Sequence, residues 1–400
     1  MKRIIFHVDV NSAFLSWTAV SMLEQGGEDI RLIPSAIGGD PEKRTGVILA
    51  KSVPAKKYGI KTGEPTGMAL RKCPKLFMAK PDFKLYRKYS EAFINICRDY
   101  SPVVEKFSID ECFIDMTGME RIYPDIIKTA YELKDRIKNE LGFTVNVGVG
   151  SNKLLAKMAG DFEKPDKVHT LFDYEIEEKM WPLPVSDLIS VGESASQRLN
   201  RLSVNTIGQL AAIDAETLKS VFKNKMGKQL YDYSHGIDDS PVNENQREAK
   251  GYGNSTTLQE NVTSFEKEDE ILLNLSDYVS ARIRADGAKA YCISVLIRSS
   301  DFKDSSHQRK LNIPTDITDE IYTVSKELFR ELWDGRTPLR LMGVSLSDVT
   351  RDGAEQISLF DKVEKENSRI LDRTVDEIRS KFGKDKIKRA TIINSNIKLK

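Results

Sequence analysis

The sequence predicts an α+β protein of several domains whose first domain is ferredoxin-like. Three observations carry that prediction. At 400 residues the chain exceeds the usual size of one hydrophobic core, so roughly two to four domains are expected. Up to Gly150, strand-like and helical segments follow one another as β-α-β-β-α-β. Beyond Lys164-Pro165, and again beyond Gln246, the pattern changes character.

Taken in order, Arg3 to Val10 is an apolar run that reads as a buried strand, and Ser12 to Glu24 is helical, with Phe14, Leu15, Trp17 and Leu23 available for packing. Gly26 to about Pro74 is rich in Gly, Pro and Lys in short pieces, the composition of a small basic subdomain inserted into the first. Helical periodicity returns between Tyr86 and Tyr100. Val103 to Met116 is rich in β-formers and broken by Asp110-Glu111, which suggests a hairpin. A helix from Pro124 to Leu141 and a strand from Phe143 to Gly150 complete the first domain. Short helices and loops are expected from Lys164-Pro165 to about Asn245. In that stretch Val185 to Leu210 and Leu218 to Gly236 each resemble two helices joined by a tight turn, at Val191-Gly192 and near Met226-Gly227. From Gln246 to about Val349 strands at Tyr291 to Arg298 and Leu341 to Ser347 flank helices at Glu268 to Ala285 and Ile317 to Trp333. The tail from Thr350 is polar, with an apolar cluster at Ile357 to Phe360 and then a charged amphipathic stretch.

Composition excludes more than it selects. An apolar fraction of 40%, a charged fraction of 30% and a formal net charge of +1 are those of a globular chain, so any basic surface must be local. Cys73, Cys97, Cys112 and Cys292 form no CxxC pair, which argues against a zinc site and a disulfide framework and favours a reducing cytoplasm. The N-terminus has no apolar leader pattern, and no apolar run is long enough to span a bilayer. No membrane partner is expected.

Asp9 directly follows the first apolar strand, where an uncompensated carboxylate is costly. A helix N-cap is the plain alternative, since Asp9, Asn11 and Ser12 all precede the helix. In a regular strand Asp110 and Glu111 would point to opposite faces, so both reach one ion only where the backbone turns between them. A solvated hairpin turn is the alternative there. Three carboxylates converging from separate strands repel one another unless a cation joins them, and hard oxygen donors suit Mg²⁺. Two such ions would serve an in-line phosphoryl displacement.

These residues, with their neighbours, are similar to a known family. Asp9-Val10-Asn11-Ser12-Ala13-Phe14, Ala55-Lys56-Lys57-Tyr58-Gly59-Ile60-Lys61, Ser108-Ile109-Asp110-Glu111, and Gly148-Val149-Gly150-Ser151-Asn152-Lys153 running on to Glu163-Lys164-Pro165 resemble the motifs of the Y-family DNA polymerases, most closely the bacterial DNA polymerase IV branch. The resemblance implies a palm at 1–20 and 79–168, fingers at 21–78, a helix-hairpin-helix thumb at 169–245, a mixed α/β little finger at 246–349 and a tail at 350–400. It implies template-directed, low-fidelity translesion synthesis from dNTPs on primer-template DNA. It also implies two Mg²⁺ ions per active site, with Mn²⁺ as a substitute. Carried over residue by residue, it makes Asp9 and Asp110 shared metal ligands, Glu111 the third carboxylate and the Val10 carbonyl a backbone ligand.

Phe14, five residues after Asp9, falls at the family's steric gate, where a ring beneath the sugar excludes a 2′-hydroxyl; the plain alternative is a helix core residue. Lys56 and Lys164 match positions that hold the triphosphate. The sequence departs from many relatives in having Val53 and Lys56 where they carry Tyr and Arg, and lysine cannot make the bidentate fork of arginine.

For DNA, Ser190-Val191-Gly192-Glu193 occupies the first hairpin, with Ser190 replacing the usual leading glycine and Glu193 close by. Arg282, Arg284, Arg298, Arg309 and Lys310 form a phosphate-facing stripe only if they lie on one sheet face. Small residues such as Gly46 and Val47 are compatible with an open roof over the templating base. Gln356-Ile357-Ser358-Leu359-Phe360 looks like a sliding-clamp-binding peptide, with Gln356 as polar anchor and Leu359 and Phe360 as apolar anchors. The alternative is that these residues pack back on the last domain. A monomer is expected. Two other functions compete: a palm-fold nucleotide cyclase, which has no need of hairpins or a clamp peptide, and a catalytically silent clamp- and DNA-binding scaffold, which gains nothing from keeping three repelling acids.

Overall fold

An apolar segment buried on both sides belongs at the centre of a sheet, and Ile5–Val10 (β1) lies there, with Ile5, Phe6 and Val8 fully buried. The molecule is described by a computed structural model for residues 3–40, 46–244, 248–351, 362–383 and 386–389. Two compact units divide the chain at Gln246/Arg247.

In unit 1, β1 leads into α1 (Ala13–Glu24). The inserted stretch holds β2 (Ser35–Gly38), β3 (Ile48–Lys51), α2 (Val53–Lys56), α3 (Thr66–Lys72) and β4 (Phe77–Ala79). Its three strands form a separate sheet, β3-β2-β4, over a small core of Ala36, Ile48, Ile60, Ala69 and Leu76. Then follow α4 (Phe83–Arg98), β5 (Val104–Lys106), β6 (Glu111–Asp115), α5 (Ile126–Leu141), β7 (Val145–Gly150), α6 (Lys153–Asp161) and β8 (Val168–Leu171). The large sheet runs β5-β6-β1-β7-β8. Its first four strands have ferredoxin-like order; β8, parallel to β7, is an added strand in a region expected to be loops and short helices.

Alternation on β1 and β6 assigns the two faces. Phe6, Val8, Val10, Cys112 and Ile114 join the core beneath α1, α4 and α5, whereas Ile5 and Phe113 pack with Ala156 of α6. α6 lies so close to β7 that a Cβ on Gly148 would stand 1.9 Å from the Ala156 carbonyl oxygen.

A 3₁₀ turn at Val185–Asp187 precedes α7 (Glu193–Arg201), α8 (Ile207–Ala211), α9 (Ala215–Phe222) and α10 (Asn224–Ser234). The first hairpin thus has a single turn of 3₁₀ helix where a full helix was expected. The second bends at Lys223, whose φ is 67°, and not near Met226-Gly227. Gly227 lies inside α10 because a Cβ there would meet the backbone of Leu218 and Lys219 at 2.4–2.5 Å. It is a close-approach glycine, not a turn glycine.

Unit 2 comprises β9 (Gly251–Val262), α11 (Glu266–Ala285), β10 (Lys289–Ser299), β11 (Asp304–Thr315), α12 (Thr318–Leu332), β12 (Leu339–Thr350) and α13 (Lys362–Phe382). Its antiparallel sheet runs β11-β10-β12-β9, and Leu272, Val279, Ile293, Val295, Phe329 and Val344 are among the residues of its core. β9 and β11 add to the two strands expected here. Among the described residues, no helix is long and apolar enough to cross a membrane.

Candidate active site

Register brings the acidic residues together. Asp9 pairs directly with Glu111 across β1 and β6, and the Val10 amide donates to the Asp110 carbonyl at 2.9 Å. Directly opposed side chains share a face, so the two acids lie on the α6 side of the sheet. The chain bends at residues 108–110: the Phe107 and Ser108 amides both donate to the Glu111 carbonyl at 3.1 Å, and the Ser108 hydroxyl donates to Asp110 Oδ1 at 2.5 Å. This is the backbone break that two consecutive carboxylates need to serve one place. The capping alternative for Asp9 does not hold, since the α1 N-cap is Ser12, at φ 49°, without a side-chain cap bond.

A cleft of about 450 Å³ opens at this end of the sheet. Asp9, Val10, Phe14, Lys56, Asp110 and Lys164 all line it. Glu111 does not: its Oε2 accepts from His7 Nε2 at 2.8 Å and from Lys157 Nζ. Lys51, Ser52, Val53 and Thr62 line the cleft from the inserted subdomain. Lys51 was not singled out in the sequence, where nothing distinguishes it from a solvated lysine; only its position at the end of β3 brings it in. The Phe14 ring stacks on buried Tyr86 at 4.6 Å and 17°, with the exposed Phe83 edge-on at 6.1 Å, so aromatic packing fixes its orientation while it lines the cleft.

Asn11 organises the opposite wall. Its Nδ2 donates to Asn146 Oδ1 at 3.1 Å, while its Oδ1 accepts from Thr144 Oγ1 at 2.9 Å and from the Asp166 amide at 3.0 Å. That ties the turn carrying Lys164 to the end of β1. Lys164 Nζ then reaches Asp9 Oδ2 at 2.5 Å and Asp161 at 2.8 Å.

The charges are unequally satisfied. Burial raises the Asp9 carboxyl above its usual range, and the Lys164 ammonium only partly offsets this while Asp110 adds repulsion. Burial also acts to raise Glu111, yet the hydrogen bonds from His7 and Lys157 prevail and hold it at about 2. Lys164 titrates above the ordinary lysine range: burial opposes its charge, but Asp9 and Asp161 outweigh it. Burial and the neighbouring Lys56 lower Lys51. The cleft thus holds an under-compensated acid, Asp9, and a lysine, Lys51, whose charge is disfavoured.

This donor set fits a hard divalent cation: carboxylates with a backbone carbonyl, at a site where Lys164 offsets the burial of Asp9 only in part. Among the described residues, no three His, Cys, Asp or Glu side chains are already gathered to hold an ion. Asp9 and Glu111 are turned onto Lys164, His7 and Lys157.

The expected DNA contacts divide. Ser190 adopts φ 77°, the left-handed conformation that glycine normally takes at such a turn, and Gly192 caps α7. Gln229 Nε2 donates to the Ser190 hydroxyl at 3.1 Å, joining the two hairpins. The basic stripe is not formed. Arg284 is buried against Asp372 and Asp376, and Arg309 turns to Glu327 and Glu331 of α12. Arg298 pairs with Asp304 and Lys310 with Asp348, while Arg282 donates to the Gly253 carbonyl. Neighbouring carboxylates supply the nearest partners, and the residues do not share one face.

Comparison with known proteins gives the family. Residues 8–161 match the impB/mucB/samB family, 249–359 its C-terminal domain, and 186–238 the DNA polymerase-iota thumb domain. The chain is 47% identical to DNA polymerase IV of Clostridium acetobutylicum over 100% of both chains. It is 37% identical to DNA polymerase IV of Acetivibrio thermocellus over 98% of each, and 34% identical to DNA polymerase IV 2 of Bacillus subtilis over 98% of this chain and 95% of that one. A solved Y-family DNA polymerase chimera superposes with a TM-score of 0.75 at 22% identity, covering 87% of this chain and 100% of its own, which supports the fold. The chain belongs to the Y family of DNA polymerases, in its DNA polymerase IV branch.

Proposed function

We propose that this DNA-directed DNA polymerase performs low-fidelity, translesion nucleotidyl transfer at the cleft lined by Asp9 and Asp110, with Glu111 opposite Asp9 on the neighbouring strand. The carrying observation is the register of Asp9 against Glu111, with Asp110 beside Val10, opening on a cleft walled by Lys51, Lys56 and Lys164. The substrates are primer-template DNA and dNTPs, and divalent metal ions serve the reaction. The finer assignment is two Mg²⁺ ions, replaceable by Mn²⁺, held by Asp9, Asp110, Glu111 and the Val10 carbonyl. When bound they supply charge neutralisation and activation of the primer 3′-hydroxyl.

The chain's own residues do the rest. Phe14 lies flat on Tyr86 and excludes a 2′-hydroxyl from the sugar site. Lys56, with Lys51 beside it, receives the triphosphate as point charges, a looser grip than an arginine fork. Lys164, whose ammonium rests on Asp9, would be free to take a phosphate oxygen if a cation were held by that acid. The Ser190–Glu193 hairpin contacts a backbone phosphate without reading sequence. Gly46 and Val47 leave the templating base open, which tolerates damaged bases.

Gln356, Leu359 and Phe360 lie outside the described residues. Their sequence supports docking on a bacterial sliding clamp, which raises local concentration on DNA. Four free cysteines, all buried, suit action in the cytoplasm, and the enzyme works as a monomer. Primer extension with and without Mg²⁺ tests the site: activity should vanish without the metal and in Asp110→Ala and Glu111→Ala, by about 10³-fold or more. Full activity in either variant would refute it. Leu359→Ala with Phe360→Ala should remove clamp stimulation and spare basal synthesis; equal loss of both would refute the clamp reading.

A further inference from the structure

We propose that Lys157 is a positioning residue for nucleotidyl transfer: with His7 it fixes one oxygen of Glu111 and leaves the other free for a cation shared with Asp9. The inference rests on the reading of Glu111 as the third carboxylate.

Both donors converge on Oε2, and no hydrogen bond to Oε1 occurs among the described residues. A carboxylate held through one oxygen by two donors can pivot little about its terminal bond, so the direction of Oε1 is set as well. Lys157 itself is held from a second side, its ammonium lying 4.9 Å from the Phe107 ring centroid. His7 is 1% exposed and packs on Phe113 at 4.8 Å. Its Nε2 must carry the proton that it donates to an ionised carboxylate, and its Nδ1 has no partner among the described residues. The close seat of α6 on Gly148 delivers Lys157, one residue after Ala156, to the hairpin.

One helical turn earlier, Lys153 makes the matching contact with Glu105 at 2.6 Å, on the other strand of the hairpin. The two pairs serve different ends. Glu105 also accepts from the Asn243 amide at 2.9 Å, and Lys153 donates to the Pro241 carbonyl at 3.4 Å, so that pair is sealed and braces the chain leaving the last thumb helix. Lys157 is 23% exposed and serves Glu111, directly opposite Asp9. Lys153 is therefore an internal control for a lysine of purely structural use.

The test compares Lys157→Met, Lys157→Arg and Lys153→Met in the full chain. Readouts are single-turnover incorporation, KM for dNTP, melting temperature, and Mn²⁺ binding followed by the electron paramagnetic resonance of the free ion. Lys157→Met should lower kcat by about 10- to 100-fold with KM and melting temperature unchanged, and Lys157→Arg should recover part of the loss. The same Met variant should bind Mn²⁺ about threefold or more tightly, because a competing positive charge has gone. Opposite movement of binding and rate is the signature of positioning. Lys153→Met should lower the melting temperature and leave kcat intact. The inference is overturned if Lys157→Met keeps full kcat, if its melting temperature falls as for Lys153→Met, or if Mn²⁺ binding and rate weaken together. Activity surviving in Glu111→Ala would sink the carboxylate reading itself, a separate result.

Discussion

Two networks of buried carboxylates differ in the cations that answer them. On the α6 face of the large sheet in unit 1, Asp9 and Glu111 are met by Lys164, Lys157 and His7. In unit 2, the acids are met by arginine. Arg284 Nε and Nη2 fork onto both oxygens of Asp376 at 2.7 and 3.2 Å, its Nη1 reaches Asp372 at 3.2 Å, and Arg379 holds Asp277 at 2.9 Å. Lys164 is 38% exposed, whereas Arg284 and Asp372 are 7% and 6% exposed. A lysine is a point charge on a flexible stem and yields its partner readily; a bidentate guanidinium fixes geometry. The comparison teaches that the Lys164–Asp9 contact is an exchangeable one, as the proposed reaction requires, whereas the acids held by guanidinium groups are locked to seat α13.

The largest effect that would break this contrast is expected at Asp9. Asp9→Asn should abolish primer extension, by about 10³-fold or more, without lowering the melting temperature, because an under-compensated buried acid has been removed. A fall of several degrees in calorimetry would make Asp9 a structural partner like those of unit 2. Next, Arg284→Met should cost unit 2 about 3–5 kcal/mol in chemical denaturation, since it removes the guanidinium shared by buried Asp372 and half-buried Asp376, and exchanging both acids for apolar residues as well should restore most of it. A loss below about 1 kcal/mol would show the network to be ornamental. Phe14→Ala should then cut the preference for dNTP over rNTP by about a hundredfold. Equal loss with both sugars would make Phe14 a core residue only.

The smallest effect concerns pH. Burial of Glu268, with Asp269 adding repulsion and Arg330 at 3.5 Å and Lys326 offsetting it only in part, raises its carboxyl to about 7. The folded state therefore binds the proton more tightly than the unfolded chain, whose glutamate titrates near 4.5. Its stabilising contribution is complete below that pH and is lost as pH rises through about 7, on the order of 1–2 kcal/mol. Glu268→Gln should flatten the stability of unit 2 between those limits. An unchanged profile would show that this acid, unlike those held by arginine, does not govern pH dependence.

What the sequence disclosed follows from range along the chain. The hairpin break at Asp110-Glu111 and the stop after β1 are local signals, and both were legible. The partners of those acids were not: His7 and Glu111 are separated by 104 residues, and Lys157 and Glu111 by 46, so nothing local links them. β11 was missed because its first five residues are all exposed, erasing alternation. α13 inverts the usual pattern. Asp372 is buried while Ile370 and Leu371 are more than half exposed, so amphipathicity read from sequence would place the wrong face inward. Gly227 shows the same limit, since a glycine for close helix contact and a glycine for a turn are identical in sequence.

The central claim is that the lysine-held acids at the end of β1 and at the hairpin tip gather around divalent cations. The direct measurement is anomalous scattering from a crystal of the enzyme with primer-template, a non-hydrolysable dNTP and Mn²⁺. Two peaks about 3.5–4 Å apart, bridged by Asp9 and Asp110 with Lys164 moved off Asp9 onto phosphate, are predicted. An ordered ternary complex with no peak beside Asp9, and with Lys164 still on that carboxylate, would contradict the account.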